Sequence, residues 1–120
     1  MVSYKRGDIV LVPFPFVTSA GMGQKLRPAL VISDHRIRRR FNDLILAAIT
    51  TQVPSKLLDT EFKVNDSEPY FAGTGLVKTS VVRCEFIMTI PDSLIVRKIG
   101  EIPVYILVKI DRALRMSIGL

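Results

Sequence analysis

The sequence predicts a mainly β (α+β) fold: a small, strongly curved antiparallel barrel with one C-terminal helix packed against it. Three observations lead there. The apolar runs are short, β-type and set between turn signals. Two of them, Pro28 to Ser33 and Leu44 to Thr50, are apolar on consecutive positions, as strands buried on both faces are. Helical spacing occurs once, after Pro103. At 120 residues, 48% of them hydrophobic, the chain is expected to form a single domain over residues 1–120 with a packed core.

Taken in order, Gly7-Asp8 is a turn signal, and Ile9 to Phe14 follows as the first strand. Pro13 and Pro15 end that strand or hold it at an edge, since proline lacks the N–H a ladder needs. Residues 17–26 hold two glycines and little periodicity and read as a mobile loop. Pro28 then marks the start of the second strand. The third is Leu44 to Thr50. Leu57 to Val64 turns to alternation at its end, suggesting a half-exposed strand, and residues 65–75 are turn-rich. Thr79 to Val82 and Phe86 to Ile90 read as two short strands with a bend between them, and Arg97 to Ile102 as another. Pro103 suits a first helical turn. Ile106, Ile110, Ala113, Leu114 and Ser117 keep helical spacing, Asp111 and Arg115 form an i,i+4 pair, and Gly119 falls just past the end. Val104 to Val108 is β-rich enough to open as a strand instead.

The charge is uneven. Net charge is +6, and residues 1–42 alone carry eight Lys/Arg against two Asp, while the rest carries nine of each sign. A localised positive field favours a polyanion, RNA or DNA first and an acidic protein second; the plain alternative is a charge that only keeps the chain soluble. The single cysteine, Cys84, excludes an internal disulfide and a cysteine-cluster zinc site, and fits a reducing cytoplasm. No apolar run has the length of a membrane span, and the N-terminus does not read as a signal peptide. Paired carboxylates, metal-ligand clusters and Gly-rich phosphate loops are absent from the sequence, so no metal or cofactor is expected.

If the second and third strands pair as a hairpin closed by residues 34–43, Arg27 lies opposite Thr50. A permanent cation then sits beside a hydroxyl at the mouth of a buried sheet, which is a phosphate site in outline. The plain alternative makes Arg27 a strand-end salt-bridge partner and Thr50 strand filler. Gln52 shares the strand face of Thr50 and could read a base edge; Thr51 takes the other face. His35, the only histidine, lies seven residues along from Arg27, too far to serve the same phosphate. Arg36, Arg38, Arg39 and Arg40 form a charge run that suits RNA phosphates, a protein partner or solvent alone. Phe14 and Phe16 flank Pro15, where one of them could stack on a base, with core packing the plainer use for Phe14. Cys84 reads as a small core residue.

Gly7-Asp8-Ile9-Val10, Lys25-Leu26-Arg27-Pro28-Ala29-Leu30-Val31-Ile32, Ala47-Ala48-Ile49-Thr50, Ser80-Val81-Val82, Thr89-Ile90 and Ile99-Gly100 follow one another in the order and spacing of the MazF/PemK toxin endoribonucleases. The chain resembles that family from Lys5 to Leu120. The resemblance implies an SH3-like barrel of the CcdB/MazF kind, working as a cytoplasmic homodimer with an RNA groove along its interface. It implies metal-independent, sequence-selective cleavage of single-stranded RNA, often mRNA, to 2′,3′-cyclic phosphate and 5′-hydroxyl ends. It also implies a cognate antitoxin that blocks the groove, and DNA binding by the toxin–antitoxin pair. The family's catalytic arginine and threonine carry over onto Arg27 and Thr50. Its recognition loop carries over onto roughly Phe16 to Leu26, with Phe16, Gln24 and Lys25 as RNA-binding residues. Thr51, Gln52 and a groove-lining Ser80 complete that set. Some relatives have a glutamate in the loop where this chain has Met22. The competing expectation on the same barrel is a non-catalytic protein: a gyrase-poison-like inhibitor, or a degenerate toxin that only binds RNA or antitoxin.

Overall fold

A computed structural model describes residues 3–18 and 21–120, apart from the side chains of residues 15–18 and 21–24. Six strands form one antiparallel sheet: β1 (Asp8–Thr18), β2 (Gly21–Val31), β3 (Asp43–Thr50), β4 (Glu61–Val64), β5 (Ser80–Pro91) and β6 (Arg97–Glu101). Their spatial order is β4-β5-β3-β2-β1-β6, and a single helix, α1 (Val104–Ile118), ends the chain. The sheet is curled into a half-barrel, in keeping with the expected fold class.

Consecutive apolar positions in the central strands are buried on both faces, as their pattern predicts. One face places Ile9, Leu30, Ala47, Ile49, Val82 and Cys84 under the helix residues Ile106, Leu107, Ile110 and Ala113. The opposite face gathers Val10, Val12, Phe14, Ala29, Val31, Leu46 and Ala48, with Ile95 packed among them. The β2–β3 register is the expected one: Ala29 pairs with Ala48, Leu30 with Ala47 and Val31 with Leu46. Continued outward, it brings Arg27 level with Thr50.

Four local expectations are corrected. Residues 17–26 are not a loop as a whole: β1 and β2 pair continuously from Ile9↔Leu30 to Thr18↔Gly21, as a long two-stranded ribbon, and only residues 19–20 lie outside the described chain. Pro13 and Pro15 are tolerated there because β6 pairs with β1 only as far as Leu11, so β1 is an edge at both prolines. The two short strands beginning at Thr79 and Phe86 are one, β5, and the bend is a β-bulge. Its register on β3 slips between Ala47↔Ile87 and Ala48↔Arg83, so residues 84–86 stand outside that ladder. The strand near Leu57 is shorter than expected and begins at Glu61. Finally, Asp111 does not pair with Arg115. It accepts from the guanidinium of Arg6, whose Nε also donates to the Ile32 carbonyl at 3.2 Å. A contact across 105 residues replaces the helical pair and ties α1 to the end of β2.

The helix boundaries follow the sequence. Pro103 is the N-cap, and Gly119, at φ 74°, ends α1 in the left-handed region. Val104 to Val108 opens the helix, since burying Ile106 and Leu107 against the sheet outweighs their β propensity.

Cys84 is fully buried beneath α1, and burial, with Asp111 nearby, pushes its thiol from an ordinary 9.0 up to about 11. The thiol ionises more easily when unfolded, so its stabilising effect is intact below pH 9.0 and is lost as pH rises towards about 11. The expected loss is about 2 kcal/mol across that window. Urea unfolding at stepped pH measures it, and Cys84→Ala should flatten the decline. Lys98 shifts upward too, chiefly through its hydrogen bond to the buried Asp8, and loses stabilisation in the same direction.

Candidate active site

Arg27 stands where β2 parts from β3. From Ala29 onward β2 is held on both sides; at Arg27 its partner is Val12 of β1. Thr50 is the last residue of β3 and still pairs with Val81 of β5. The two strands therefore splay at this point. The cleft between them is a pocket of about 320 Å³ lined by Phe14, Arg27, Ala48, Ile49, Thr50, Gln52, Arg83 and Phe86. Arg27 and Thr50 thus reach one cavity, as the register expectation required.

The pocket's chemistry is cationic. Arg27 is exposed, and among the described residues no carboxylate pairs with it. A guanidinium without a carboxylate partner is available to an incoming phosphate in forked geometry. Thr50 Oγ1 accepts a hydrogen bond from the Gln52 backbone N–H at 3.1 Å. That contact occupies one lone pair and leaves the hydroxyl hydrogen free, so Thr50 is set up as a donor. It also folds the chain after β3 so that Gln52 lines the same pocket. The floor is apolar, with Phe14 buried and edge-on to Phe86 at 5.8 Å.

The other sequence candidates fare differently. Thr51 is exposed and outside the pocket lining, consistent with its opposite parity to Thr50 and Gln52. Lys25 is exposed on the ribbon and pairs with Phe14, two positions out from Arg27 on the same face. Phe16 and Gln24 are placed only by register, opposite Gly23 and Pro15; their side chains, like that of Met22, lie outside the described residues. Ser80 is a correction. It is fully buried, and its hydroxyl donates to the Lys78 carbonyl at 2.8 Å, so it holds the start of β5 and is outside the lining of the Arg27–Thr50 pocket.

His35 is remote from the pocket, as expected, and its Nδ1 accepts from the Arg6 backbone N–H at 3.2 Å. Two arginines of the charged run are already paired, Arg36 with Asp34 at 2.9 Å and Arg39 with Asp43 at 2.8 Å. The Arg36 guanidinium holds the Asp34 carboxyl well below the usual carboxylate range. Arg38 and Arg40 make no ion pair among the described residues.

Two pocket residues were not among the sequence candidates: Arg83 and Phe86. They are three apart, and in a regular strand they would face opposite ways. The bulge at residues 84–86 turns both into the cavity. The only signal in the sequence is a lone charge inside the apolar run Val81-Val82-Arg83-Cys84.

Residues 5–118 match the family described as PemK-like, MazF-like toxin of type II toxin–antitoxin systems. A curated relative, Endoribonuclease EndoA of Bacillus subtilis, is 32% identical over 116 residues, covering 97% of this chain and 95% of its own. Among solved structures, the Mycobacterium tuberculosis toxin MazF-mt6 superposes with a TM-score of 0.72 at 26% identity, over 94% of this chain and 97% of that one. A mycobacterial endoribonuclease solved with its cognate antitoxin superposes with a TM-score of 0.75 at 21% identity, over 98% of this chain and 97% of that one, and speaks for the fold.

Proposed function

The chain belongs to the PemK-like, MazF-like toxin family of type II toxin–antitoxin systems, and from that premise we propose that it is an endoribonuclease cleaving single-stranded RNA at the Arg27–Thr50 pocket. The observation that carries this reading is the meeting of an unpaired guanidinium and a donor-ready hydroxyl in one cleft.

RNA brings its own nucleophile. The 2′-oxygen attacks the adjacent phosphorus, the bond from phosphorus to the 5′-oxygen breaks, the 2′-hydroxyl gives up its proton and the departing 5′-oxygen gains one. The products are a 2′,3′-cyclic phosphate and a 5′-hydroxyl. Negative charge grows on the non-bridging phosphoryl oxygens along this path. Arg27 meets it with a fixed cation, which is the larger contribution, and Thr50 with a hydrogen bond. Arg27 acts by charge and not as an ordinary proton donor, because guanidinium holds its proton above pH ~12. Alignment of the 2′-oxygen with the leaving 5′-oxygen supplies the rest, by holding the strand in the cleft. The proposal needs no metal ion.

The proposed working form is a cytoplasmic homodimer of this single domain, held in check by a cognate antitoxin. The antitoxin-bound relative and the net charge of +6 support an acidic inhibitor. No helix among the described residues is long and apolar enough to cross a membrane.

The direct test uses an RNA oligonucleotide with a single 2′-deoxy nucleotide at a mapped cut. Cleavage at that bond should disappear; persistent cleavage there would remove the 2′-hydroxyl mechanism. Thr50→Val, which keeps the side-chain shape and loses the donor, should lower the cleavage rate on the order of 10- to 100-fold with little change in KM. Single-turnover rates against substrate concentration measure both.

A further inference from the structure

Arg83 has no role in the reading above, yet it stands at the centre of the cleft. It lines the Arg27–Thr50 pocket and also a second cavity of about 410 Å³, bounded by Thr50, Gln52, Val53, Pro54, Glu61 and Arg83. The two cavities share Thr50, Gln52 and Arg83 in their linings, so they adjoin across these residues. A strand laid across Thr50 runs from one into the other, past the Arg83 guanidinium.

The guanidinium is held in place but not used up. It lies over the Phe86 ring, 5.5 Å from the centroid. Its one ion-pair partner among the described residues, Glu85, is 3.4 Å away, with both side chains about two-fifths exposed. An exposed pair of that length contributes little and yields easily to a stronger anion. The contact with the ring supports the guanidinium, and its N–H groups can turn to a forked anion contact once the weak bond from Nη2 to Glu85 is given up. Glu61, across from Arg83 in the β4–β5 ladder, accepts from the Leu58 backbone N–H at 2.8 Å through its carboxylate.

We propose that Arg83, seated on Phe86, grips the phosphate next to the scissile one. It is then a substrate-positioning residue that sets affinity, while Arg27 and Thr50 act on the reacting phosphate. The placement depends on the bulge at residues 84–86, which brings Arg83 and Phe86 to the same side of β5. The proposal rests on the RNA-cleavage reading for its kinetic consequence, but its binding consequence stands apart from turnover.

The test therefore has two arms. In the first, Arg83→Met should raise KM for a cleavable RNA oligonucleotide about tenfold and leave kcat within about threefold. In the second, binding of a fully 2′-O-methylated oligonucleotide is followed by fluorescence anisotropy across a salt series. Arg83→Met should weaken binding about tenfold and reduce the slope of log K against log salt by about 0.7, the loss of one phosphate contact on a single strand. Arg83→Lys keeps a point charge and should restore the slope, a rescue that a merely structural arginine would not show. Unchanged KM and salt slope in folded Arg83→Met overturn the proposal and leave the cleavage reading intact. So does a collapse of kcat at unchanged affinity. Should the wild-type protein cleave nothing, the cleavage reading fails, and the binding arm still decides whether Arg83 holds a phosphate.

Discussion

Replacing Arg27 by alanine is expected to lower the single-turnover rate of RNA cleavage on the order of 10³-fold, and to abolish growth arrest when the protein is expressed. The size follows from where Arg27 stands. It is the pocket cation with no carboxylate beside it among the described residues, and it sits level with the hydroxyl of Thr50. A guanidinium held at the spot where phosphoryl charge grows needs no rearrangement as the reaction proceeds, so its contact with the phosphate strengthens in the transition state and that gain lowers the barrier. The same exposure means that its removal costs the fold little. Among the described residues Arg27 packs in neither core cluster and bridges no carboxylate, so the stability of Arg27→Ala from urea unfolding should stay within about 0.5 kcal/mol of wild type. Loss of activity with loss of folding would instead make Arg27 a structural residue. Normal cleavage by the variant would move the chemistry elsewhere.

The largest expected effect on stability lies far from the pocket, at Gly100. This residue pairs with Ile9 in the β6–β1 ladder, beside the bulge that follows Ile9. A Cβ built there falls 2.2 Å from the Thr74 carbonyl carbon, 2.3 Å from its oxygen and 2.5 Å from the Gly73 carbonyl oxygen. All three are backbone atoms, so no flexible side chain can swing away. The turn Phe71–Thr74 that presses on Gly100 is itself anchored: Thr74 is fully buried, and its hydroxyl donates to the Phe71 carbonyl. Gly100→Ala must push that turn and β6 apart, at a cost of about 3 kcal/mol. Thermal unfolding should shift down by on the order of 10 °C. A shift under about 2 °C would mean that the turn gives way freely, against the contacts that hold it.

The sequence made the frame legible wherever pattern and burial agree. Two consecutive apolar runs meant strands covered on both faces, and their pairing register followed from a symmetric hairpin. The meeting of Arg27 and Thr50 in one cleft came with it, because that register, continued past the last β2–β3 pair, brings the two level. The helix end at Gly119 was legible because a left-handed cap favours glycine.

What stayed hidden depends on partners distant in the chain. Pro13 and Pro15 already allowed an edge strand, but the glycines over residues 21–23 read as loop, and pairing of β1 with β2 out to Thr18↔Gly21 is a property of the ribbon rather than of the segment. Asp111 had a suitable helical partner in Arg115, but Arg6 reaches it across the fold. Ser80, which the family resemblance matched to a groove-lining position, is an internal tie to Lys78. Arg83 and Phe86 have a spacing that puts them apart in any regular strand. Only the slip between Ala47 and Ala48 on the neighbouring strand brings them together.

On the proposed mechanism Arg27 serves a cleft in which RNA is cut through its own 2′-hydroxyl. The most direct measurement incubates the purified protein, in EDTA, with a long single-stranded RNA and maps the 5′ ends released, with Arg27→Ala alongside. Discrete cuts that carry 5′-hydroxyl ends with the wild-type protein, and none with the variant, are the predicted result. Absence of cuts by the folded, antitoxin-free protein, or the same cuts by Arg27→Ala, would contradict it.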